Sequence, residues 1–245
     1  MLQLYKLGRL TGYPLHATDG EIGKLKEIYF DDQYWIIRYF VVHTGNWLLG
    51  KDVLITPTAV KTVDAENQYF EVDLSRYQIE NCPPLDSALP VSRHYEIEYY
   101  RHYGWIPYWS GDPILGTTPP VMPAVIAGAD LPIPEHPHLR SSATVTGYHI
   151  SATHANIGHV ADFIIAAPGW AIRYLEIDTH NWLPGKHVLV EPAWIQQINW
   201  LQQTVSVNLT REKIKTAPAY DPDKTISKEY ELALYKHYGE SIDQD

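Results

Sequence analysis

Basic charge, cysteine and long apolar runs are all scarce in this chain of 245 residues. Lys plus Arg number 19 against 29 Asp plus Glu, a formal charge of −10. That balance disfavours nucleic acid or an anionic membrane as the main partner, since both select a basic face. The single cysteine, Cys82, excludes an internal disulfide framework and a multi-cysteine metal site. No apolar run reaches the roughly 18 residues of a membrane-spanning helix. The segment Met1 to Lys6 lacks the charged region and apolar stretch of a signal peptide. Also missing are Gly-x-Ser-x-Gly, a phosphate-binding loop, a dinucleotide fingerprint and His-Glu-x-x-His. The expectation is a soluble, mildly acidic cytoplasmic protein with no cofactor and no enzymatic activity.

What is present is apolar enough to fold: 45% hydrophobic residues against 20% charged. Tyrosine (18) and tryptophan (8) far outnumber phenylalanine (4). Both carry a polar tip on an apolar body, which suits shallow cores and contact surfaces.

The sequence repeats itself at an offset of 135 residues without a gap. Thr11-Gly12-Tyr13 matches Thr146-Gly147-Tyr148, and Ile22-Gly23 matches Ile157-Gly158. Trp35 with Ile37-Arg38-Tyr39 matches Trp170 with Ile172-Arg173-Tyr174, and Asn46-Trp47-Leu48 matches Asn181-Trp182-Leu183. Gly50-Lys51, Val53-Leu54, Tyr95-Glu96 and His102-Tyr103-Gly104 all recur. About a third of the positions in this window are identical, which indicates duplication into two paired domains. Between the copies, residues 105 to 143 hold eight of the 18 prolines, so that stretch reads as an extended linker. Its start, Trp105-Ile106-Pro107-Tyr108-Trp109, is aromatic enough to dock on a domain.

Within each copy the apolar period is two. Strands are expected over residues 13–18, 22–30, 34–43, 51–56, 59–63 and 70–74 of the first copy. Phe40 and Val42 should point inward, and Val41, which is matched by Glu176 in the second copy, should lie nearer solvent. Six short, closely spaced strands suggest a small barrel. Each copy then ends in a helix: Ser92 caps a segment through Tyr95, Glu96, Tyr99 and Tyr100 to Tyr103, stopped by Gly104, and Ser227 to Gly239 repeats it. The expected architecture is mainly β. It consists of two barrels in tandem, each with a terminal amphipathic helix, divided as 1–104, 105–143 and 144–245.

The run Trp35 to Val42, followed by Asn46-Trp47-Leu48-Leu49-Gly50-Lys51-Asp52-Val53-Leu54-Ile55 and Pro57, resembles the PRC-barrel family. Trp170 to Ile177 and Asn181 to Val190 with Pro192 show the same pattern, and Gly23 and Gly158 fit it. The family includes the cytoplasmic part of the photosynthetic reaction centre H subunit and the second domain of a ribosome-maturation factor. The resemblance implies a docking module, so a tandem protein-interaction adaptor is the expected function. Two other readings are an accessory role on a photosynthetic membrane complex and small-molecule or metal binding in a groove between the barrels. Two related copies are expected to pack about a local two-fold axis, as two chains do in a symmetric dimer.

Candidate partner-binding residues are the loop tryptophans Trp47 and Trp182, the helix residues Tyr99, Tyr103, Tyr235 and Tyr238, and the linker patch Trp105, Tyr108 and Trp109. Trp47 and Trp182 would either stand out as anchors or cover one end of a barrel. Scaffold roles fall to Gly23, Gly158, Gly50 and Gly185, to Trp35 and Trp170 as buried rings, and to Arg38 and Arg173. The arginines share a side with the strand's presumed core residues, which calls for a carboxylate partner and packing on aromatic rings. A clamp for a ligand carboxylate is the alternative. His149, His154, His159, His180 and His187 are not shared by the first copy and lack metal-ligand spacing, so no metal site is expected. The recurring His102 and His237 should cap the last carbonyls of their own helices.

Overall fold

The computed structural model describes residues 2–85, 91–110, 138–152, 155–179 and 186–239. The architecture is mainly β. In chain order it begins with β1 (Gln3–Lys6) and the short helix α1 (Leu7–Leu10). Then follow β2 (Pro14–Ala17), β3 (Gly20–Asp31), β4 (Ile36–His43), β5 (Asp52–Ile55), β6 (Val60–Asp64) and β7 (Tyr69–Val72). The helices α2 (Arg76–Glu80) and α3 (Arg93–Tyr103) precede β8 (Leu139–Ser141). The second series is α4 (Ser142–Val145), β9 (His149–Ala152), β10 (Ala155–Ala167), β11 (Ala171–Asp178) and β12 (His187–Val190). It finishes with β13 (Ile195–Asn199), β14 (Thr204–Val207), α5 (Arg211–Thr216) and α6 (Lys228–Tyr238).

The chain forms two compact units whose boundaries are not those of the repeats. One is Leu10–Ser141; the other joins Met1–Arg9 to Ser142–Asp245. Each therefore takes its outermost strand from sequence that leads into the other. β1 lies antiparallel to β10, with Gln3 opposite Ala167 and Lys6 opposite Ile164. β8 lies antiparallel to β3, with Tyr29 opposite Ser141 and Asp31 opposite Leu139. β8, Leu139–Ser141, lies inside the proline-rich stretch expected as an extended linker.

Inside the Leu10–Ser141 unit the strands pair in the order β6-β7-β2-β3-β4-β5, antiparallel except for β2 beside β7. The other unit repeats it as β13-β14-β9-β10-β11-β12, with β14 parallel to β9. No ladder joins β5 to β6 among the described residues, so the paired order is open. The long strand β3 bends because it serves two neighbours, β2 with its first half and β4 with its second. Gly23 sits at the crossing with φ of 144°, where a Cβ would lie 2.2 Å from the His43 carbonyl oxygen. Gly158 repeats this at φ of 140° and 2.0 Å from the Asp178 carbonyl oxygen. Only glycine fits such a backbone contact.

β4 is buried on both faces, so alternation fails along it. Phe40 and Val42 are in the core, with the Phe40 ring 5.6 Å from Phe70. Val41, expected near solvent, is buried instead under α3 in a second cluster with Tyr39, Leu54, Tyr99 and Tyr100. Glu176 in the Val41 position is also buried; a salt bridge to Lys6 compensates its charge, and His187 Nδ1 lies 2.9 Å from its other oxygen. The ring of Trp35 is only half-buried, stacked 5.3 Å from Phe30, and its φ of 57° makes it a turn residue. Trp170 has the same backbone at 56° and is likewise half-buried. Both rings lie at the mouth of a hairpin turn, so neither is the fully buried core ring expected.

Candidate interaction site around the terminal helix

The helix α3 starts at Ser92, whose hydroxyl accepts from the Tyr95 amide, and stops at Gly104 in the left-handed conformation. α6 does the same with Ser227 and Gly239. Tyr99 is fully buried and donates to the Leu54 carbonyl at 3.0 Å, and its ring meets Tyr39 edge-on at 5.4 Å. Tyr103 stacks on Trp105 at 4.5 Å, and Tyr100 packs edge-on against Trp109 at 5.4 Å. The aromatic start of the linker is thereby folded back onto its own unit.

At the centre of this packing is Glu96, with no solvent exposure. Its Oε1 accepts from the Tyr39 hydroxyl at 2.9 Å and from the Tyr108 hydroxyl at 3.1 Å. Its Oε2 lies 2.8 Å from Arg93, whose guanidinium also covers the Trp109 ring at 4.0 Å. Burial pushes the Glu96 carboxyl up to about 7, against the opposing pull of Arg93 and the two hydroxyls. Arg38 lies 3.4 Å from Asp31 and 4.1 Å from the centre of the Tyr108 ring. It reaches this face because the register slips there: Tyr39 opposes Tyr29 while Ile37 opposes Phe30. A bulge re-aims a side chain that strict alternation would place with Phe40.

The other unit keeps the core of this arrangement and loses its periphery. Tyr174 donates to Glu231 at 2.7 Å, and the register slips at Arg173 as it does at Arg38. Arg173 sits 3.5 Å from Glu191 and 4.0 Å from Glu231, over the Tyr235 ring at 5.6 Å. Burial raises Tyr174 well above the usual tyrosine range, with Glu231 adding to it. Ala166 stands in the Asp31 position and Lys228 in that of Arg93. The shared element is a tyrosine–glutamate hydrogen bond fastening the terminal helix to β4 in one unit and β11 in the other.

The expected partner-binding residues fall into three groups. Tyr99, Tyr108, Tyr235 and Tyr238 are buried within their own units. Tyr103, Trp105, Trp109 and Trp47 are half-buried. Trp182 and Gly185 lie outside the described residues, as do His154 and His180. Trp47 lies under the guanidinium of Arg76 at 4.7 Å, and Gly50 closes that loop with φ of 71°. Leu49 at the tip is 87% exposed with φ of 56°, and Tyr77 beside Arg76 is 74% exposed. Sequence reasoning missed these two. The left-handed leucine carries no sequence mark, but the capping box from Ser75 to Gln78 that begins α2 was readable.

His102 and His237 do not cap their own helices. His102 donates to the Gln78 carbonyl at 2.8 Å and His237 to the Lys213 carbonyl at 2.7 Å, tying each terminal helix to the short helix before it. His187 pairs with Glu176 at 2.9 Å, His159 lies 3.9 Å from Asp178, and His149 is exposed. Among the described residues no cluster of three His, Cys, Asp or Glu is arranged to hold a metal ion. Cys82 is half-buried, and burial pushes its thiol up to about 11, which leaves it protonated near neutrality. It lines a groove of about 250 Å³ with Leu48, Lys51, Ile79 and Tyr95. A more open groove of about 640 Å³ in the other unit is lined by Ser151, Asn156, Gln196 and Asn208.

No helix among the described residues is long and apolar enough to cross a membrane. A family model described as PRC-barrel domain matches residues 4–78, from β1 through most of α2. No curated protein matches the chain.

Proposed function

With residues 4–78 matching the PRC-barrel domain as the premise, we propose that this chain is a non-catalytic protein-interaction scaffold carrying two PRC-type modules. For the second module the support is the gapless repeat, the same strand order, the same slipped register at the arginine and the same tyrosine–glutamate pair.

One observation carries the scaffold reading. The side chains best suited to chemistry, Glu96, Arg93, Arg38 and Asp31, are buried and spent on one another and on tyrosine rings. Polar groups engaged in this way stiffen the fold, and these four side chains are turned to one another and to rings rather than to a substrate. The rigid face then presents Trp47 beneath Arg76, with Leu49 and Tyr77 exposed beside them. Tryptophan, tyrosine and arginine are the side chains that carry most binding energy at protein interfaces.

The test compares the wild-type chain with a Trp47→Ala, Leu49→Ser, Tyr77→Ser variant as bait in cells of the native source. A scaffold enriches at least one protein that the variant loses, while both baits keep the same Tm. Identical capture profiles would remove this face from the account. Substrate turnover by the purified chain, abolished by changing one side chain, would remove the scaffold reading altogether.

A further inference from the structure

We propose that the strand slot on β10 is an interaction surface for a second copy of this chain, filled by exchange of β1 between molecules. In the unit that holds it, β1 is contributed by sequence that runs directly into the other unit. β8 stands in the mirror relation to β3. The β10 slot is filled by a segment, Met1–Arg9, separate in sequence from the Ser142–Asp245 stretch that builds the rest of its sheet, and the β3 slot by the last residues of its own unit, where the chain passes into the other. A slot that already accepts its strand from another part of the chain accepts the identical strand from another molecule.

Both slots are built to grip that strand. Lys6 closes β1, and its Nζ lies 2.7 Å from Glu176 and 3.8 Å from Asp162. The Gly8 amide donates to both Asp162 oxygens at 3.1 Å, and a Cβ at Gly8 would fall 2.5 Å from one of them. In the other unit Ser141, at the position of Lys6, donates to Glu27, at the position of Asp162. Arg140 and His138 both reach Asp32 at 2.8 Å. A carboxylate waiting at the same place in both sheets, for residues of a donated strand, marks a docking site for that strand. Attachment through Arg9 and Leu10 gives β1 an effective concentration in the millimolar range for its own slot, so exchange competes as the protein approaches about 1 mM.

The experiment uses full-length chains with the native cysteine removed (Cys82→Ser). One carries Gln3→Cys and the other Ala167→Cys, the residues that face each other across the ladder. The two are unfolded together, refolded over a concentration series and oxidised gently, and the 3–167 disulfide between chains is counted by mass spectrometry. Exchange predicts a hetero-disulfide fraction that climbs with concentration and drops severalfold when the donor also carries Lys6→Glu. Absence of that disulfide at every concentration overturns the proposal. So does a yield indifferent to Lys6→Glu, or one equal to that from mixing chains never unfolded. A chain with both cysteines must close an internal disulfide; failure there also overturns it. None of these outcomes depends on the scaffold reading.

Discussion

Replacing Glu96 by glutamine isolates the one buried carboxyl on which the α3 packing turns. The group has no exposure to water, and burial raises it from 4.5 to about 7 in the folded chain. A folded-state value above the unfolded one means that the folded chain binds the proton more tightly. The resulting stability is fully present below pH about 4.5 and is lost as pH rises through about 7. At about 1.4 kcal/mol for each tenfold change in proton affinity, the loss amounts to about 3 kcal/mol. Glutamine keeps the shape and the acceptor for the Tyr39 or Tyr108 hydroxyl but cannot ionise. Urea unfolding of both proteins between pH 4 and 8, followed by tryptophan fluorescence, therefore gives curves that separate. The wild type loses about 3 kcal/mol relative to the glutamine variant across the range. Parallel curves would refute the reasoning. A wild type that gains on the variant as pH rises would show that Arg93 outweighs desolvation.

Four further outcomes follow from the packing. Gly23→Ala and Gly158→Ala each drive a methyl into a carbonyl at 2.2 and 2.0 Å, and should cost about 3 kcal/mol or more in thermal melts. Gly12→Ala, at φ of 89° with open space around it, should cost only about 1 kcal/mol. Lys6→Met strands Glu176, 1% exposed, with His187 as its remaining partner, and should cost about 2–3 kcal/mol; adding Glu176→Gln should recover most of it, read by urea midpoints. Trp35→Ala should cost about 1–2 kcal/mol by the same measurement, less than the roughly 3–5 of a fully buried ring, because the ring is half exposed and its backbone is left-handed.

Much of the local structure was legible. The alternation over residues 22–30 and 34–43 becomes β3 and β4, and Ser92 and Gly104 bound α3 as capping chemistry dictates. What local pattern could not supply was what lies on each side of a strand. Val41 and Glu176 are covered by elements far away in sequence, so a reading by alternation places them in water. Arg38 left the expected face because one slipped register rotates it, and nothing in Ile37-Arg38-Tyr39 announces a slip. The pairing of β1 with β10 was illegible for the same reason: Gln3 pairs with Ala167, and of the leading residues only Leu4 repeats, as Leu139. The tyrosine surplus suits both shallow cores and contact surfaces, and composition does not say which rings go inside; the hydroxyls of Tyr39, Tyr99 and Tyr108 find partners within the unit. That pairing is what allows so many rings to be buried.

The central claim is that the buried rings and charges around α3 build a rigid frame while recognition happens on the loop around Trp47. Hydrogen–deuterium exchange of the chain, alone and with its captured partner, reads this directly. New protection over residues 45–50 and 76–80, with α3 unchanged from its free state, is the predicted result. New protection confined to α3 and residues 105–110 would contradict the account.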